Sequence, residues 1–106
     1  MQQAANTTAT QTQPVDSAEL DKLEDEMVQL SSRARAARDS VETLRRQQAA
    51  QGLNLRGDIS AAEDRMGAYI DKAQAALQSQ NAKDAQQYME KAEAQVQTLE
   101  KFLGRR

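Results

Sequence analysis

Leu20, Leu23, Met27, Leu30, Ala34, Ala37, Val41 and Leu44 follow one another in alternating steps of three and four. In an α-helix such steps keep returning to one face, so these eight side chains make a single stripe that another helix has to cover. The pattern predicts an all-α chain and a helix face made for another helix. It does not name the partner.

The composition removes most chemistry. The chain has no Cys, His or Trp. Without Cys there are no disulfides and no thiolate metal sites. Without His the usual general base and the commonest metal ligand are missing. No nucleophile therefore has a base partner, and no glycine-rich phosphate loop or alternating-oxygen calcium loop is present. The expectation is a non-enzymatic protein with no cofactor, no metal and no small-molecule substrate. Fourteen basic and 16 acidic residues give a net charge of −2, which steers the chain to neither nucleic acid nor acidic lipid. No apolar run is long enough to span a bilayer, so no membrane insertion is expected of this chain. No basic segment followed by an apolar one opens the sequence, so a signal peptide is expected to be missing or already removed.

Residues 1–15 are rich in Gln, Thr and Ala, hold the only proline, Pro14, and lack periodicity. They read as a disordered linker, with a helical bundle over 16–106. The first helix is expected over about 17–51, with Ser17 as N-cap. Acids gather early (Glu24, Asp25, Glu26) and arginines late (Arg33, Arg35, Arg38, Arg45, Arg46), as the helix dipole favours. Arg35 with Asp39, Arg38 with Glu42 and Glu42 with Arg46 stand four apart and are expected to pair. Gly52, Leu53 and Asn54 then suit a left-handed residue, its apolar contact and the next N-cap. That reading reverses the chain; the rival is one continuous helix with a stutter, in which Gly52 and Gly57 would each cost about 1 kcal/mol.

The second helix is expected over about 55–79, with the stripe Leu55, Ile59, Ala62, Met66, Tyr69, Ala73, Ala76 and Leu77. The third is expected over about 82–103, capped by Asn81 and ended by Gly104, with Ala85, Met89, Ala92, Val96, Leu99 and Leu103 inward. Short turns make neighbours antiparallel, which predicts an antiparallel three-helix bundle with coiled-coil-like heptad packing. Leu30, Val41, Leu44, Met66, Val96 and Leu99 are its expected core. At 1.5 Å per residue the first helix spans roughly 50 Å and the others roughly 33 to 38 Å. The surplus is expected at the N-terminal end, leaving Leu20, Leu23, Met27 and Leu30 as a candidate interface. That strip would support weak, salt-enhanced dimerisation through residues 17–30.

Two further patterns carry resemblances. Tyr69, Ala73, Ala76, Asn81, Ala85, Met89 and Ala92 resemble the spacing of one tetratricopeptide-like hairpin; peptide-binding solenoids need at least three such units. LRGD at 55–58, AYIDKAQAAL at 68–77 and AEAQVQTLEKFLGR at 92–105 resemble helical tails at the C-termini of bacterial multidomain and envelope proteins. The resemblance implies a bacterial source and a terminal helical module, and brings no functional residues with it. The expected function is a structural, protein-interaction or oligomerisation module, binding itself or another protein. The expected setting is extracytoplasmic, periplasmic or tethered behind an upstream membrane anchor. The alternative is an adaptor or chaperone-like binder that uses the hairpin. A third reading places nucleic acid on an anion-contact face of Arg35, Arg38, Arg45 and Arg46, which Asp39 and Glu42 interrupt.

Overall fold

The computed structural model describes residues 15–104, so the expected linker over 1–15 lies outside the described residues apart from Val15. Three helices account for nearly all of them: α1 Val15–Ala50, α2 Gly57–Gln78 and α3 Ala82–Gly104. They pack as an all-α three-helix bundle in which α2 runs back along α1 and α3 returns beside both. α1 is already helical at Val15, so Ser17 lies inside it rather than capping it. Gly104 is itself helical, and the described residues end there.

Both connections are closed by the same backbone device. Gly52 has φ +76. The Leu53 N–H donates to Gln48 O at 2.8 Å and the Gly52 N–H to Ala49 O at 3.0 Å. These two bonds satisfy carbonyls that the end of α1 would otherwise leave open, the pattern of a Schellman cap with its left-handed residue at Gly52. The chain therefore turns here, and the continuous-helix alternative fails. Two details differ from expectation. Leu53 is 54% exposed and stands outside the core. The N-cap of α2 is Arg56, which gives no side-chain cap, and not Asn54.

At the second turn the Asn81 N–H donates to Ala76 O at 2.8 Å and the Gln80 N–H to Leu77 O at 3.0 Å. The left-handed residue is Gln80, with φ 60. A side chain is disfavoured in that region, and the cap on α3 offsets the cost. In that cap the Asp84 N–H donates to Asn81 Oδ1 at 3.1 Å, and Asn81 Nδ2 donates to Asp84 Oδ2 at 2.9 Å, a reciprocal pair of bonds.

The core runs the length of the bundle. From α1 it takes Leu23, Met27, Leu30, Ala34, Ala37 and Val41; from α2 Ile59, Ala62, Met66, Ala73 and Ala76; from α3 Ala85, Met89, Ala92, Val96 and Leu99. Tyr69, Leu77 and Leu103 are half-buried against it.

Relative to α3, the surplus length of α1 lies at its C-terminal end, where α2 alone packs beside it. Leu23, Met27 and Leu30 are each only 5% exposed, and Leu20 is half-buried. The α2–α3 turn comes level with Glu19, so α3 covers the start of α1. At the other end Leu103 of α3 comes level with Ser40, and the last ten residues of α1 pass beyond it. Leu44, expected in the core, is only half-buried and stands outside it. The apolar strip expected to support dimerisation is thus spent inside the molecule.

These positions make two expectations measurable by urea or thermal unfolding. Leu23→Ala should cost about 2–4 kcal/mol, and Leu44→Ala about half as much or less; the reverse order would place the surplus at the N-terminal end after all. Gln80→Gly should stabilise by up to about 1 kcal/mol, because glycine removes the left-handed penalty, whereas Gly52→Ala should destabilise by about 1 kcal/mol or more.

Candidate interaction surfaces

Arginine side chains on α1 reach across to both other helices. Arg33 donates through Nη1 to Glu93 Oε1 at 2.8 Å, and through Nη2 and Nε to the two Glu100 oxygens at 2.8 and 3.1 Å. The paired donors match the carboxylate fork, a geometry only arginine offers. The Arg33 guanidinium holds Glu100 below the usual carboxylate range, mainly by hydrogen bonding, and its own proton is held more tightly in return.

Arg45 sits between Glu42 at 2.6 Å and Glu63 at 2.8 Å. Glu63 is the charged residue of the core, at 8% exposure, and a carboxylate at that depth needs a cation beside it. Its hydrogen bond raises the Arg45 pKa. Arg38 approaches Glu63 to 4.0 Å, and the end of its guanidinium passes Gly67, where an added Cβ would stand 2.7 Å from Nη2, so a larger residue there would displace the tip of the arginine.

The expected arginine face is therefore divided. Arg45 turns inward to α2, and Arg38 stays half-exposed, reaching Glu63 only to 4.0 Å. Arg46 keeps a long contact of 3.8 Å with Glu42, and Arg35 makes no ion pair among the described residues. Of the three expected pairs four residues apart, Glu42 with Arg46 alone forms. Arg33, which ties α1 to α3, has its carboxylate partners on another helix, so spacing along one helix gives no sign of its role.

Between α1 and α3 runs an open groove of about 410 Å³. Leu23, Leu30 and Met89 form its floor. Gln29 and Glu26 on one side, and Gln86 and Glu90 on the other, form its walls, and the Arg33–Glu93 ion pair closes one end. Of the candidate interface, Leu23, Met27 and Leu30 are all core, Leu23 and Leu30 also border this groove, and Leu20 is half-buried and borders neither. No group of Asp and Glu able to hold a metal ion occurs among the described residues. No helix among them is long and apolar enough to cross a membrane.

A different surface lies on the side of α2 and α3 away from α1. Tyr69 and Tyr88 sit there with ring centres 6.5 Å apart and planes inclined by 23°. Lys72 Nζ lies 5.6 Å from the Tyr88 ring centre; Lys91 Nζ lies 5.7 Å from Tyr69 and 5.9 Å from Tyr88. The cations cross between helices, each within the reach of a cation–π attraction. Sequence spacing places each lysine three residues after its own tyrosine and does not show the crossing.

Comparison with protein-family models, with curated proteins and with solved structures finds no match to this chain. The surfaces themselves are what bears on its function.

The Arg33 clamp has a pH signature. Glu100 has a lowered pKa in the folded chain, so its contribution is complete above the ordinary glutamate value of about 4.3 and is lost as pH falls through the lowered value. Glu100→Gln should flatten the fall in stability on acidification through that window while leaving the helical content at neutral pH unchanged. An acid-unfolding curve identical to that of the parent protein would show that the clamp contributes nothing.

Proposed function

We propose that this chain is a non-enzymatic protein-interaction module that docks a helical segment of a partner in the groove between α1 and α3. The observation that carries this reading is the floor of Leu23, Leu30 and Met89 between polar walls. A fourth helix laid there would bury the remaining edges of the core and keep polar side chains at its rim, which is how helix-in-groove recognition works. Apolar stripes that elsewhere face solvent are not available, because the three helices cover them mutually.

The resemblance of segments 55–58, 68–77 and 92–105 to helical tails of bacterial envelope proteins supports placing such a module at the end of a larger, tethered assembly. The arginine face gives less support to nucleic-acid binding, since Arg45 is engaged with Glu63 and Glu42 and Arg46 lies near Glu42.

A photo-crosslinking residue at Gln29, on the groove wall, should capture one defined protein in the native host, and the same residue at Ala68, on exposed α2 surface, should not. The purified partner should then bind the parent protein in calorimetry and lose at least about tenfold in affinity to Met89→Glu, about 1.4 kcal/mol. Equal labelling at both positions, or unchanged affinity of a variant that keeps its helical content, would overturn the groove as the docking site.

A further inference from the structure

All the aromatic residues of the chain, Tyr69, Tyr88 and Phe102, belong to α2 and α3, and each has a cation within 6 Å of its ring. At Phe102 the cation is Arg56, which Asp58 neutralises at 2.7 Å. At the tyrosines nothing plays the part of Asp58. Lys72 and Lys91 both lie over Tyr88, yet neither makes an ion pair among the described residues, and the same is true of Arg65, one turn before Tyr69. Two ammonium groups gathered on one ring repel each other, and a carboxylate ligand would relieve that repulsion.

The same chain carries a face of complementary character. Asp21, Glu24, Asp25 and Val28 stand at i, i+3, i+4 and i+7 of α1, one stripe of a helix, and all four are exposed. Val28 is 66% exposed, more than any other large apolar residue among those described, and the three acids beside it make no ion pair there. An apolar side chain among carboxylates matches tyrosine rings among ammonium groups.

The geometry points to self-association in which the Asp21, Glu24, Asp25 and Val28 face of one copy docks on the Tyr69 and Tyr88 face of a second. Carboxylates meet Lys72, Lys91 and Arg65, and Val28 rests on the rings. The two faces do not overlap. Residues of α2 that look toward α1, such as Gly67 and Ile70, are turned about 100° or more around the helix from Tyr69, and Val28 lies on the far side of α1 from its buried stripe. The contact is therefore heterologous. It leaves one free face of each kind on every pair, so assembly continues past the dimer into a chain or a ring. Because charge drives it, salt weakens it, the reverse of what an apolar seam would do. This contact is separate from the groove between α1 and α3 and does not depend on it.

Sedimentation velocity of the full chain over a range of concentrations is the test, at about 0.01 M and about 1 M salt. At low salt the average mass should rise with concentration and exceed that of a dimer; at high salt it should return to that of a monomer. The doubly substituted Lys72→Glu/Lys91→Glu protein now has two acidic faces, and Asp21→Lys/Asp25→Lys has two basic ones. Each alone should remain monomeric at low salt, with helical content unchanged by circular dichroism, and an equimolar mixture should associate again. A monomeric parent protein at low salt, association that either double variant retains, or a folded mixture that stays monomeric would each overturn the proposal.

Discussion

The close approach of α2 to α3 is the contact on which the rest of the molecule depends. It is made by small residues. Ala62, Ala73, Ala76, Ala85 and Ala92 are all buried, and they alternate with the larger Met66, Val96 and Leu99. The separation of two packed helices is set by the side chains at their contact, so alanines bring the backbones together and bulky neighbours fill the space between them. Alanine also orders at little entropic cost and favours the helix outright, which suits a short hairpin with few large apolar groups. The Schellman turn and the Asn81–Asp84 cap close this pair at one end, and the crossed lysine–tyrosine contacts line its outer side.

α1 is added to that pair by a different balance of forces. Its stripe begins with Leu23, Met27 and Leu30 and continues with Ala34 and Ala37, so apolar volume is concentrated in its first half. In its second half arginine takes over: Arg33 holds α3 through Glu93 and Glu100, and Arg45 holds α2 through Glu63. Exposed ion pairs contribute little each, so those of Arg33 serve mostly to set the position of α1 over α3. Glu63 is different in kind. At its depth the carboxylate is tolerable only with Arg45 in place, which makes the pair a constraint on how α1 and α2 sit together. α1 thus covers the hairpin incompletely, and the groove beside Leu30 and Met89 is the consequence.

The surfaces that remain are distinguished by how their charges are balanced. Arg33, Arg45 and Arg56 are in ion pairs, whereas among the described residues Lys72 and Lys91 on one side meet only tyrosine rings, and Asp21, Glu24 and Asp25 on the other form no ion pair. A net charge of −2 conceals this separation, because opposite faces of one small bundle cancel in the sum. Recognition depends on the local distribution rather than on the total.

The helices, their order and most of the core could be read from the sequence alone, because period and backbone preference are local properties. The alternating steps of α1 mark Leu23 to Val41 as one face wherever that helix packs, and Gly52 marks a turn because a left-handed residue there suits glycine. What tertiary structure alone decided was register. Which end of α1 stands clear depends on how residues 51–56 cross to α2 and where α3 then begins, so Leu44 changed places with Leu23 as the less covered residue. Gln80 could not be read as left-handed, since nothing in its side chain favours that state and the α2–α3 packing imposes it. The partners of Arg33, Arg38 and Arg45 were equally out of reach. A long flexible guanidinium chooses among carboxylates by distance in space, and Glu93, Glu100 and Glu63 come near only once the helices are side by side.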